Sequence, residues 1–190
     1  MYKCSKLIVL LLISAASCTY KNDNSNKLAS TIQDLLGNVV HLATPSLVYN
    51  EDNYNQFSYT DYKIVVYTDS ADCVDCMFKL DSWKEVISDF ETNFQNTVSF
   101  YFFFHPAARE HIENLLIKEN FKYPIFIDTD NKFYNSNKIP ASGLLRCFLL
   151  DKNNRIVSVG NPTLASGAWR LYREIVKDSI MFETLSQIQK

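Results

Sequence analysis

Apolar positions change their period along the chain, and the changes mark the elements. Residues 63–67 (Lys63-Ile64-Val65-Val66-Tyr67) are a β-branched run, the composition of a buried strand. The polar turn Thr68-Asp69-Ser70-Ala71-Asp72 follows. From Cys73 to about Phe90, apolar residues fall at 73, 76, 77, 80, 83, 86, 87 and 90. That spacing predicts an amphipathic helix starting at Cys73, with Asp72 placed to cap it. Val98 to Phe104 predicts an aromatic strand, and Ala107 to Asn120 a second helix opened by Pro106. Tyr123 to Asp128 reads as a short strand, 129–143 as a polar segment with one helical turn, and Leu145 to Leu150 as a strand. Asp151 to Arg155 is a hairpin turn, because Asn tolerates the positive φ such turns need, and Ile156 to Val159 is the return strand. A final helix covers 165–177, with room to continue to 187. Upstream, Asp34 to Leu42 reads as a turn into a short leading strand. This order predicts an α/β domain with a mixed sheet and helices on both faces.

Composition narrows the functional classes. The 190 residues hold 47% hydrophobic and 21% charged side chains, a globular balance that excludes wholesale disorder. Nineteen basic residues against 21 acidic leave no positive excess for phosphates, so nucleic acid is not an expected partner. Four glycines exclude collagen-like chains and most phosphate-cradling loops, and no internal repeat points to a solenoid.

The first residues read as an address. Lys3 and Lys6 precede the apolar stretch Leu7 to Ile13, which is too short for the ~20 residues of a membrane-spanning helix. Ser14, Ala15, Ala16 and Ser17 supply small residues, and Cys18 follows directly. Ala15-Ala16-Ser17-Cys18 resembles a bacterial lipobox, which implies a signal peptide over 1–17 and lipid on Cys18. An ordinary signal peptide with an incidental cysteine is the alternative. Residues 18–34 are then the lipidated cysteine and a flexible, Asn-rich tether, 35–178 the domain, and 179–190 a tail or helix extension. Removing 1–17 removes two Lys and no acids, so the mature balance is 17 − 21 = −4.

An exported chain changes the meaning of its cysteines. With Cys4 lost and Cys18 lipidated, Cys73, Cys76 and Cys147 remain, too few for a disulfide framework. Cys73-Val74-Asp75-Cys76 reads as a redox pair at a strand-to-helix junction. A helix start favours the Cys73 thiolate, and a thiol three residues on can resolve the mixed disulfide. Buried inert thiols or a static disulfide are the bland reading. Zinc lacks a second ligand pair, haem attachment lacks a His at Met77, and copper handling would need His105 nearby.

On these residues the chain resembles the thioredoxin-like superfamily, in particular the extracytoplasmic, membrane-tethered thiol-disulfide oxidoreductases of the TlpA kind, which shade into the alkyl hydroperoxide reductase group. Leu36 to Leu42, the 63–67 strand with Cys73-x-x-Cys76, Tyr123 to Asp128, and Phe148 to Val157 carry the resemblance. It implies a thioredoxin-like fold with an N-terminal strand extension and an inserted element. It further implies Cys73 as nucleophile, Cys76 as resolving thiol and no dissociable cofactor. The implied partners are disulfides of exported proteins and an upstream thiol or membrane electron donor, in a periplasm-facing envelope location. Asp72 replaces the usual aromatic residue before the pair, Val74-Asp75 lie inside it, and Leu145 occupies the usual cis-Pro position, with Pro140 five residues early. Acids at Asp72 and Asp75 oppose the thiolate and favour a reducing pair.

Two rival functions draw on the same residues. A peroxidase would use Ser70 and Cys73 with Arg146 as the candidate cation, though Val66 stands where a Pro is usual. A non-catalytic binding module needs none of this chemistry. Cys147 reads as a small core residue, with a role as third thiol open. His105 reads as structural, His41 and His111 as surface or edge positions, and Trp83 and Trp169 as core or groove residues.

Overall fold

The computed structural model describes residues 25–42, 47–50, 60–70, 72 and 78–188. The signal segment 1–17, Cys18, Cys73 and Cys76 therefore lie outside the described residues. The chain divides into two compact units, Met1–Leu35 and Leu36–Lys190.

In the first unit, residues 25–35 form a helix, α1. The hydroxyls of Ser30 and Thr31 donate to the Lys27 carbonyl at 2.9 and 2.8 Å. From residue 25 on, this helix stands where a flexible tether was expected over 18–34, while residues 18–24 lie outside the described residues. The Asn-rich stretch ends at Asn26, and from Lys27 onward good helix formers carry apolar residues at 28, 32 and 35.

The second unit is built on six strands, β1 (Leu47–Tyr49), β2 (Tyr62–Thr68), β3 (Val98–Phe104), β4 (Ile125–Ile127), β5 (Cys147–Leu150) and β6 (Ile156–Val159). Their order in the sheet is β1-β4-β3-β2-β5-β6. β2 and β3 run parallel, with Val66 opposite Phe102, and β3 and β4 run parallel, with Phe103 opposite Phe126. β1, β5 and β6 pair antiparallel with their neighbours, so the sheet is mixed. The β5–β6 turn closes as expected: Asp151 Oδ1 accepts the amides of Asn153 and Arg155, and Asn154 takes a φ of 59°.

Alternation along the strands sorts the core into two faces. Ile64, Val66, Phe100, Phe102, Phe104, Cys147 and Leu149 belong to one apolar cluster. Trp83, Val86, Ile87 and Phe90 of α2 (Leu80–Asn93), Ile112 of α3 (Arg109–Glu119) and Tyr172 and Val176 of the last helix join that cluster. On the other face Tyr101 and Phe103 stack on Phe126, and Phe103 and Tyr67 stack on Phe133 of the short helix α4 (Lys132–Ser136).

Several boundaries differ from the sequence pattern. α2 starts at Leu80 rather than Cys73, with neither Phe78 nor Lys79 helical. At 100° per residue Phe78 would point about 140° away from Trp83 on a continuous helix. Phe78 is nevertheless buried edge-on against Phe102, Phe104 and Phe121, which requires the chain to leave helical geometry there. The leading strand at 36–42 is only a bridge, Val39 to Arg155. It is flanked by bonds from Gly37 N to Ile156 O and Val40 N to Asn154 O, both 2.8 Å. The expected strand from Leu145 begins at Cys147, because Gly143–Leu145 form a 3-10 turn. A 3-10 turn over Pro106–Ala108 likewise precedes α3. The last helix, α5, runs Ser166–Ile188, so the segment from 179 extends the helix.

The aromatic cluster sets one stability expectation. Phe102 is fully buried and meets Phe78, Trp83 and Phe121 edge-on. Phe102→Ala should lower the unfolding free energy by about 3–5 kcal/mol in urea titration. A loss below ~1 kcal/mol would contradict this packing.

Candidate functional site around Arg146

β2 lies inside the sheet between β3 and β5, and its C-terminal end feeds the turn that leads to Cys73. The turn is tied internally: Asp72 N donates to Asp69 O at 3.1 Å, and Asp69 N to Asp72 Oδ2 at 2.8 Å. Arg146 then ties it to the chain entering β5. Its Nη1 donates to Asp72 Oδ2 at 2.6 Å, and its Nη2 pairs with Asp69 Oδ2 at 3.3 Å. The same guanidinium donates from Nε to Pro140 O at 2.8 Å and from Nη2 to Ala141 O at 2.7 Å. The Arg146 carbonyl accepts Tyr67 N at 2.9 Å. With only 6% of its side chain exposed, Arg146 is a buried cation with every nitrogen engaged. A buried arginine persists only with such partners, and removing one partner of a buried pair costs about 3–5 kcal/mol. The cost here is smaller, because both carboxylates keep some solvent contact.

The far side of the cysteine segment is anchored by Phe78 in its aromatic box. The Tyr67 hydroxyl is buried and has no hydrogen-bond partner among the described residues. Burial pushes its ionisation upward, reinforced by the charges of Asp128 and Asp69. Asp128 is itself occupied, accepting the amides of Phe133 and Tyr134 at 3.0 Å and so capping α4.

No family profile matches the sequence, and no match to a curated protein was found. Solved structures do match. A thioredoxin-like protein in its oxidised form aligns with a TM-score of 0.50 and 14% identity, over 76% of this chain and 97% of that one. The thioredoxin domain of a thiol-disulfide oxidoreductase from Bacteroides vulgatus gives 0.50 and 14%, over 74% and 97%. A Cys-to-Ser mutant of PrxQ from Xylella fastidiosa gives 0.51 and 13%, over 76% and 96%. The fold is thioredoxin-like. At these identities the likeness concerns fold alone.

Within this thioredoxin-like frame the expected site residues separate. Asp72 does not cap α2: its carboxylate serves the Asp69 amide and Arg146, and the N-terminal position of α2 is Lys79, with no side-chain cap. Its negative charge is thus paired. Leu145 is buried in the 3-10 turn before β5, and the described residues contain no cis peptide. Arg146, the candidate peroxide cation, spends its nitrogens on the turn and two carbonyls. His105 Nδ1 accepts the Ala107 amide at 3.1 Å, opening the turn before α3, while His41 and His111 are exposed. Trp83 is core, and Trp169 donates to Asp89 Oδ2 at 2.8 Å beside α2. Sequence reasoning weighed Arg146 alone and missed its constellation with Asp69 and Asp72. The signal was present: an arginine inside Leu144-Leu145-Arg146-Cys147-Phe148 needs a buried acidic partner.

Cys147 is 1% exposed on β5, and the Tyr172 hydroxyl donates to its carbonyl at 3.3 Å. This makes it a core residue rather than a third exchange thiol. Burial pushes its thiol well up from the ordinary 9.0. Above about pH 9 the unfolded chain loses this proton while the folded chain keeps it, so stability falls as pH rises. Urea midpoints should therefore drop between pH 8 and 10.5, and less steeply in Cys147→Ala. Equal slopes in both proteins would place the cause elsewhere.

Proposed function

We propose that this protein is a thiol-disulfide oxidoreductase that reduces disulfides in exported proteins. The observation that carries the reading is the position of Cys73-x-x-Cys76, directly after the turn that ends the interior strand β2 of a thioredoxin-like sheet. The anchored flanks, Asp72 on Arg146 and Phe78 in the aromatic box, support it. The Cys73 thiolate attacks one sulfur of the substrate disulfide, forming a mixed disulfide and releasing the other sulfur as a thiolate. Cys76 then attacks Cys73 Sγ, which releases the second substrate thiolate and leaves a Cys73–Cys76 disulfide. Two electrons pass from the pair to the substrate. A dithiol partner or a membrane electron carrier restores them.

The pair should show a reversible two-electron transition in glutathione or dithiothreitol buffers, near the ~−270 mV of thioredoxin. Cys76→Ala should then trap mixed disulfides. Two thiols that stay unreactive until unfolding would leave a thioredoxin-like binding module instead.

The same proposal places the protein on a bacterial envelope membrane through lipid on Cys18. No helix among the described residues is long and apolar enough to cross a membrane. Cys18→Ala should move the expressed protein from the membrane to the soluble fraction. Retention on the membrane would refute the lipid anchor.

A further inference from the structure

Asp72 is joined by a single peptide bond to Cys73, so whatever holds Asp72 acts on the residue beside the proposed nucleophile. Arg146 holds it, 74 positions away in sequence, with a 2.6 Å bond. We propose that Arg146 is a positioning residue that raises the reactivity of the Cys73 thiol by neutralising the Asp69–Asp72 turn. The purpose of this device rests on the function proposed above, but its test does not.

The charge inventory at this end of the sheet is lopsided. Asp69 and Asp72 stand on the turn. Asp128 has its carboxylate committed to the α4 amides, and its charge is felt at the Tyr67 hydroxyl. Asp75 lies within the cysteine segment, and the nearest following cation, Lys79, is exposed at the start of α2. Arg146 is the buried cation set against these acids. A carboxylate near a thiol disfavours the thiolate, and a cation bonded to that carboxylate offsets it. Among the described residues, the Arg146 contact to Asp72 is the compensating interaction adjoining Cys73 in sequence.

The geometry also distinguishes a charge effect from a loose loop. Arg146 is fixed by the Pro140 and Ala141 carbonyls independently of the acids, so the cation stays when one acid is removed. Removing the cation and removing the acid should therefore move Cys73 in opposite directions. A purely structural clamp would move it the same way in both cases, because either change loosens the same turn.

The measurement is alkylation of Cys73 by iodoacetamide at pH 7, in the full chain carrying Cys76→Ala and quantified on the peptide that contains Cys73. Arg146→Met should slow the reaction about threefold to tenfold, where tenfold corresponds to one unit of thiol pKa before the loss of nucleophilicity. Asp72→Asn should accelerate it by a similar factor, and Arg146→Lys should stay within about twofold of the parent. Changes of the same sign in Arg146→Met and Asp72→Asn, or no change in either, would overturn the inference. Should Arg146→Met fail to fold, acceleration in Asp72→Asn with near-parent Arg146→Lys still supports it, and an unchanged Asp72→Asn still overturns it. A parent pair with no reversible redox transition would defeat the proposed function while leaving this sign comparison readable.

Discussion

All seven residues of β3 are buried, and that constraint organises the second unit. Phe100, Phe102 and Phe104 point one way and Tyr101 and Phe103 the other, so both faces of the sheet need apolar cover. Each buried aromatic ring contributes roughly 1.5–3 kcal/mol by leaving water. The cover on one face comes from α2, α5 and Ile112 of α3, and on the other from Phe126 and Phe133. The polar residue of the strand, Ser99, is bonded to Thr60 at 2.7 Å, which removes the penalty of burying an unpaired hydroxyl.

With β3 covered on both sides, β2 is held in parallel register beside it, and its C-terminal end is carried to a defined place. Beyond Thr68 the ladder stops. Directional interactions take over. Arg146 joins the turn after β2 to the carbonyls before β5, and Phe78 returns the chain to the aromatic cluster. Two acids with one buried cation therefore stand at the sequence position where chemistry is proposed.

The strand-rich half of the chain was legible because its elements are long or alternate strongly. Val98 to Phe104 and Ile156 to Val159 coincide with the observed strands, and the Asn-containing turn at 151–155 forms as its chemistry demands. The β1 strand was not legible. Three residues carry no usable period, and its partner β4 lies more than seventy residues away. The start of α2 was not legible either. Apolar positions at 73, 76 and 77 continue the helical spacing, whereas the burial of Phe78 depends on Phe102, Phe104 and Phe121.

By itself the sequence determined the α/β class, the parallel strand-helix-strand order, the closing hairpin and the cysteine pair, because each rests on local periodicity or adjacent residues. Tertiary structure decided where the helix after the pair begins, that Cys147 is inert core, and that Asp72 is an ion-pair partner rather than a helix cap. The physical reason is that Asp72 and Arg146 are 74 residues apart and meet only after β2 and β5 pair. An electrostatic contact of that kind leaves no periodic trace in a single chain, only an arginine standing in an apolar run.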